Sequence, residues 1–112
     1  MDSDDHGAIG KAFREAVNMA PADLERWLAT EESRSAGARH EGETESVGHE
    51  SGRRILAIKR TRTADLSDDD YAEMRRVVGY VHRHLAQRPQ GDVRDTRWRH
   101  SLMNWGHDPL KD

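Results

Sequence analysis

Apolar positions recur at helical spacing in five stretches of the chain, and most have a start or stop signal beside them. In the first, Ile9, Phe13, Ala16 and Val17 share one helical face. That helix is expected to stop near Met19, because Pro21 disfavours helical backbone in the residue before it. Pro21 suits the first turn of a second helix, with Asp23 near its positive end and Met19 and Leu24 placed as a hydrophobic staple. Leu24, Trp27 and Leu28 form its buried face. A third helix is expected from about Val47 to Arg62, with Val47, Ile55 and Ile58 on one side and Arg53 and Arg60 roughly opposite. Gly48 and Gly52 weaken its first turns; they point either to close approach of another helix or to a later start near Ser51.

The fourth helix carries the clearest signals. Ser67 is its N-cap, Asp70 follows three residues later, Asp68 and Asp69 sit at the positive end, and Leu66 and Tyr71 form a staple. It is expected to run to about Gln87 and end before Pro89 and Gly91. The fifth helix follows Asp92 as N-cap, places Trp98, Leu102 and Trp105 on one face, and ends at Gly106 as the C′ residue with Pro109 beyond. There is no strand-like alternation and no internal repeat. The fold class is therefore all-α, a compact bundle of about five helices.

Between the second and third helices, "EESRSAGARHEGETES" (Glu31 to Ser46) lacks periodicity and is rich in Gly, Ser and Glu. It reads as one long flexible loop over about 32–46, and a loop of ~15 residues is long for a compact domain. The acidic start, residues 1–7, is expected to be disordered, and residues 8–112 to form a single helical domain.

Composition narrows the chemistry. Charged residues make up 35% of the chain and hydrophobic residues 34%, which suits a small helical protein with wide solvated faces. There is no cysteine, which removes disulfides, thiolate zinc sites and a cysteine nucleophile. No run of ~18 apolar residues is present, and "MDSDDHGAIG" lacks an apolar signal core. The expectation is a cytoplasmic protein with no membrane partner. The net charge of −3 conceals an asymmetry: residues 1–50 hold 5 basic and 12 acidic side chains, residues 51–112 hold 13 and 9. That pattern fits either an anionic partner or an acidic half packed on a basic half.

"YVHRHLAQRP" (Tyr80 to Pro89) places two histidines among arginines. With Met74 at the centre of the fourth helix's apolar stripe, Val77, Val78, Val81 and Leu85 gather around it, and His82 and His84 fall on opposite flanks. The two rings cannot chelate one metal from an ideal helix, so they read as boundary residues with wet polar ends. "HESGR" at His49 lacks the second histidine of H-E-x-x-H, and no nucleophile elbow, phosphate-cradling glycine loop or dinucleotide fingerprint occurs. No cofactor and no metal is expected. A hydrolase built on His49, His82 or His84 with Glu50 is the remote alternative, resting on the histidine count alone.

Nucleic acid, DNA first, is the partner that the arginines suggest. "GRRILAIKRTR" carries five basic residues and no acid, and "RDTRWRH" sets three arginines about a tryptophan. Arg53 with Arg60, and Arg76 with Arg83, form outward rows on two helices; Arg97 and Arg99 add to them. These six are the candidate contacts. The short turn between the first two helices resembles a helix-turn-helix, yet "PADLERWLATEE" has one arginine against four acids and would meet phosphate repulsion. The alternative is a protein-interaction module, a second copy of the chain included, using the Trp27 face and the Trp98, Leu102, Trp105 face.

Four strings, "FREAVNMAPADLERWLATEESRS", "ESVGHESGRRI", "DDDYAEMRRVVGYVHRHLAQRP" and "GDVRDTRWRHSLMNWGHDPLK", resemble the domain-of-unknown-function family numbered 3140. The resemblance covers residues 11–111 and leaves the acidic start outside. It implies a small protein of a bacterial and fungal family with no assigned activity and no functional residues to carry over; some members bear a DNA-binding label. Ala20 departs from the pattern where a hydroxyl N-cap is expected before the proline.

Overall fold

Helix α1 spans Ser3–Ala16 and buries Ile9, Phe13 and Ala16 along one side. It is followed by α2 (Pro21–Leu28), α3 (Glu31–Ser35), α4 (Val47–Lys59), a 3₁₀ turn at Thr63–Asp65, α5 (Asp68–Leu85) and α6 (Arg97–Asn104). This computed structural model describes residues 3–36 and 47–111, and among them there is no strand. The all-α bundle is as the periodicity predicts. Helix α1 packs on α5, α2 packs on α4, and α6 lies against α2, α3, α4 and α5.

The local signals act as the sequence suggests at several ends. The Ser67 hydroxyl accepts from the Asp70 amide at 3.1 Å while the Asp70 carboxylate accepts from the Ser67 amide at 3.0 Å, a complete capping box. Ala20 caps α2 without a side-chain hydrogen bond, and Pro21 takes the first helical position. Gly106 has φ +80°, the left-handed conformation that a C′ glycine supplies. The His107 amide donates to Leu102 O at 3.0 Å and the Gly106 amide to Met103 O at 2.9 Å, which completes a Schellman motif.

Four boundaries differ. Helix α1 begins at Ser3, inside the stretch expected to be disordered; the His6 ring stacks on Tyr71 at 4.0 Å and ties this first turn to α5. The expected loop over 32–46 is helical in its described part. Thr30 caps α3 by accepting from the Ser33 amide at 3.2 Å, with Glu31 and Glu32 at the positive end. The rest of that loop, residues 37–46, lies outside the described residues. Helix α4 stops at Lys59 rather than Arg62, where the Thr61 hydroxyl donates back to Ala57 O at 2.8 Å. Helix α6 starts at Arg97 with Thr96 as N-cap, not after Asp92. Asp92 instead accepts from the Arg94 amide at 3.0 Å and from its guanidinium, and those Arg94 hydrogen bonds hold its carboxyl down to about 2.

The core centres on Leu24, Ile55, Val77, Val81, Val93 and Leu102, all nearly or fully inaccessible. Trp98 and Trp105 are buried within it and Trp27 is half-buried against it. The tryptophan faces that suggested an interface are thus internal packing, because α6 is the central element rather than an edge. Gly48 and Gly52 mark close helix approach, not a late start: a Cβ at Gly48 would lie 3.0 Å from Trp105 Nε1, and one at Gly52 would meet the Asn104 carbonyl and lie 2.7 Å from Leu28 Cδ2.

One polar group sits at the centre of this contact. Asn104 is fully buried and accepts at Oδ1 from Trp27 Nε1 (2.8 Å) and Ser33 Oγ (2.5 Å), while its Nδ2 donates to Ser33 O at 2.9 Å. Three helices, α2, α3 and α6, meet on this single amide.

Candidate nucleic-acid interface

The outward side of α5 beyond its first turns is a basic surface. From Met74 to Gly91 the chain holds Arg75, Arg76, Arg83 and Arg88 and no Asp or Glu. At about 100° per residue, Arg75, His82, Ala86, Gly79, Ala72, Arg83 and Arg76 fall within an arc of about 120°, opposite the buried Met74, Val77 and Val81. Ala72, Gly79 and Ala86, spaced seven apart, run down its middle, with Arg75 and His82 on one side and Arg76 and Arg83 on the other. A Cβ at Gly79 would meet only the Arg83 guanidinium, at 3.1 Å, so the Arg83 side chain lies over the glycine. The arrangement is a low ridge flanked by cations.

The six arginines singled out by sequence do not converge. Arg53 is exposed on α4 and Arg60 is exposed just past its end, where it pairs with Glu25 of α2 at 2.6 Å. Arg97 is exposed on α6 and donates to Ser35 O at the end of α3, at 3.0 Å. Arg99 turns the other way, gripping Asp108 with two hydrogen bonds of 3.1 and 3.0 Å and donating to Arg94 O at 2.9 Å. Burial, the largest single influence, would raise the Asp108 carboxyl, but the Arg99 hydrogen bonds, the Leu110 amide and the charges of Arg99 and His107 together hold the group below its ordinary value. Only Arg76 and Arg83 lie on the α5 ridge. Arg76 also grips Glu73 at 2.7 Å, with Arg54 3.6 Å from the same buried carboxylate. Arg75, which the sequence reading passed over, has no carboxylate within ion-pairing distance among the described residues, nor has Arg83. The signal was available: position 75 falls about 100° from Met74 on the same helical wheel, off the apolar stripe.

Beside the ridge runs a column of stacked rings. Arg76 lies 5.2 Å from the Trp105 ring, Trp105 stacks on Tyr80 at 4.0 Å, Tyr80 on His84 at 5.2 Å, His84 faces Trp98 at 6.2 Å, and Arg88 lies 5.5 Å from Trp98. Trp98 Nε1 donates to His84 O at 2.7 Å and locks the column to α5. His84 Nε2 is buried without a hydrogen-bond partner, and burial pushes the imidazole below its ordinary value. The two histidines of the "HRH" motif therefore differ: His82 is exposed on the ridge, His84 is sandwiched.

A pH dependence follows from His84. The unfolded imidazole titrates near about 6.5 and the folded one lower, so on acidification the unfolded chain takes the proton first and stability falls as pH drops below that value. His84→Phe keeps a ring in the column and removes the titration. The stability of the variant relative to wild type is expected to rise between pH 7.5 and 5 in thermal melts; parallel pH profiles would contradict this.

His49 and His107 serve the fold. His49 Nε2 lies 2.7 Å from Leu28 O, and His107 Nδ1 lies 2.7 Å from Ala16 O. His82 and His84 lie on α5, the first exposed and the second stacked between rings. Among the described residues no three His, Asp or Glu side chains gather where one metal ion would sit. No helix there is long and apolar enough to cross a membrane.

Comparison with known families places the chain. The model of the family described as "Protein of unknown function (DUF3140)" matches residues 12–103, most of the chain, and the protein belongs to that family. No curated protein and no solved structure matches it.

Proposed function

We propose that the protein binds the phosphate backbone of a nucleic-acid duplex, DNA first, along the outward face of α5. The observation that carries this reading is the acid-free stretch from Met74 to Gly91, whose Arg75 and Arg83 lack carboxylate partners among the described residues. They stand eight residues apart, about 12 Å along the helix, a span over which one duplex strand presents three or four phosphates. Small residues along the ridge let the helix backbone approach the phosphates closely.

Two features favour a duplex over a single strand. Sequence-tolerant single-strand binders stack bases on open aromatic faces. Here the only exposed large hydrophobic side chain among the described residues is Leu110, and the Tyr80 ring is stacked on by Trp105 and His84. Asp68, Asp69 and Asp70 at the start of α5 repel phosphate, so the footprint runs toward the helix's C-terminal end.

With about three phosphate contacts, log K is expected to fall with log salt at a slope of about −3, and affinity to be micromolar at low salt. Fluorescence anisotropy on a labelled duplex tests this. The Arg75→Ala/Arg83→Ala variant is expected to bind at least about tenfold more weakly with a slope shallower by about two. Arg60→Ala/Arg97→Ala is expected to bind as wild type does. Equal weakening by both pairs would move the contact to α4 and α6, and a wild type that ignores salt would overturn the reading.

A further inference from the structure

We infer that the hollow enclosed by α1, the end of α4 and the start of α5 binds a small carboxylic acid with an apolar body. Its volume is about 180 Å³, a little above the roughly 150 Å³ of an apolar cavity that takes up benzene. Phe13, Ile58 and Met74, all buried, make the floor, and half-buried Leu66 closes one end. Two cations, Arg14 and Lys59, stand at the rim. Neither has a carboxylate within ion-pairing distance among the described residues.

The pairing of floor and rim is what selects the ligand. An apolar ring or short chain gains by leaving water for the floor, while a strongly hydrated anion without such a body would lose its solvation there for nothing. A carboxylate at the rim meets unbalanced positive charge. Lys59 Nζ has only a long hydrogen bond, 3.3 Å to Val17 O. Burial, and after it the nearby Lys111, push its ammonium below its ordinary value, so a bound anion relieves an existing penalty.

The wall opens at Gly10. This buried residue lies in the interior of α1, where glycine is a weaker helix former than alanine, and a Cβ placed on it would meet only the Arg14 guanidinium, at 3.2 Å. Helix α1 thus carries a weakening residue at a place that lines the hollow. The site is separate from the α5 ridge, since Met74 is on the inward side of that helix, and it does not depend on nucleic-acid binding.

Titration of the ¹⁵N-labelled protein with benzoate, and with benzyl alcohol as the uncharged counterpart, tests the assignment. Benzoate is expected to produce saturable shifts of amides around Gly10, Phe13, Ile58 and Lys59, with half-saturation in the high-micromolar to low-millimolar range for a ligand of about nine non-hydrogen atoms. Benzyl alcohol is expected to bind at least about fivefold more weakly, the difference set by the rim cations. Lys59→Met is expected to remove that preference and Gly10→Leu to abolish binding of both. Absence of saturable shifts up to tens of millimolar, equal affinity for the two probes, or shifts that persist in a folded Gly10→Leu protein would each overturn it; if Gly10→Leu does not fold, the Lys59→Met comparison decides.

Discussion

Asn104→Ala is expected to cost about 3–5 kcal/mol of unfolding free energy. The amide is fully buried, and its removal strands three groups at once: the Trp27 indole N–H, the Ser33 hydroxyl and the Ser33 carbonyl. A buried polar group left without a partner costs about 1–3 kcal/mol, more than the hydrogen bond itself contributes. Ser33 is as inaccessible as Asn104, so water does not replace the lost amide without opening α3 away from α6. A domain of this size is stable by roughly 5–15 kcal/mol, which makes this one of the few single changes able to bring it near the unfolding midpoint. With a urea slope of about 2 kcal/mol/M, the midpoint is expected to fall by about 2 M. A change below about 0.5 kcal/mol, typical of a surface substitution, would mean the amide is not the pin between these helices.

Gly52→Ala is expected to destabilise by about 2–4 kcal/mol, against the direction of helix propensity. Alanine in an open helix interior gains about 1 kcal/mol over glycine. Here the added methyl would meet the Asn104 carbonyl, a backbone atom fixed within the last turn of α6, and would lie 2.7 Å from Leu28 Cδ2. Leucine ends give way; the carbonyl does not unless α4 and α6 separate, and that loosens the packing around Ile55 and Leu102. Gly79→Ala is the counterpart. Its methyl meets only the flexible end of Arg83, so the same substitution is expected to stabilise by about 0.5–1 kcal/mol. Opposite signs in chemical denaturation of these two variants would locate the tight crossing; the same sign in both would contradict it.

The parts of the fold readable from sequence are those whose causes lie within a few residues. The Ser67 box closes over three residues and the Gly106 motif over five, so local chemistry suffices. Helix α3 had a local signal too: Thr30 followed by Glu31 and Glu32 is an N-cap with acids at the positive end, and it was masked by the polar, glycine-rich run after it. The Asn104 amide was not readable, because its partners are 71 and 77 residues away. The same distinction governs the arginines. That Arg76 and Arg83 point outward follows from helical geometry alone. That Arg60 answers Glu25 and Arg97 reaches Ser35 depends on how α2 and α3 sit beside α4 and α6, and no spacing along the chain encodes this. The acidic and basic halves therefore pair in part with each other. Of the six arginines and Arg75, the ones left without a carboxylate partner on α5 among the described residues are Arg75 and Arg83.

The most direct test of the nucleic-acid reading is a ¹H–¹⁵N correlation titration of the protein with a short duplex DNA at low salt. The account predicts shifts concentrated at Ala72, Arg75, Gly79, His82, Arg83 and Ala86, reversed by added salt. No shifts at low salt, or shifts confined to α2 and α3, would contradict it.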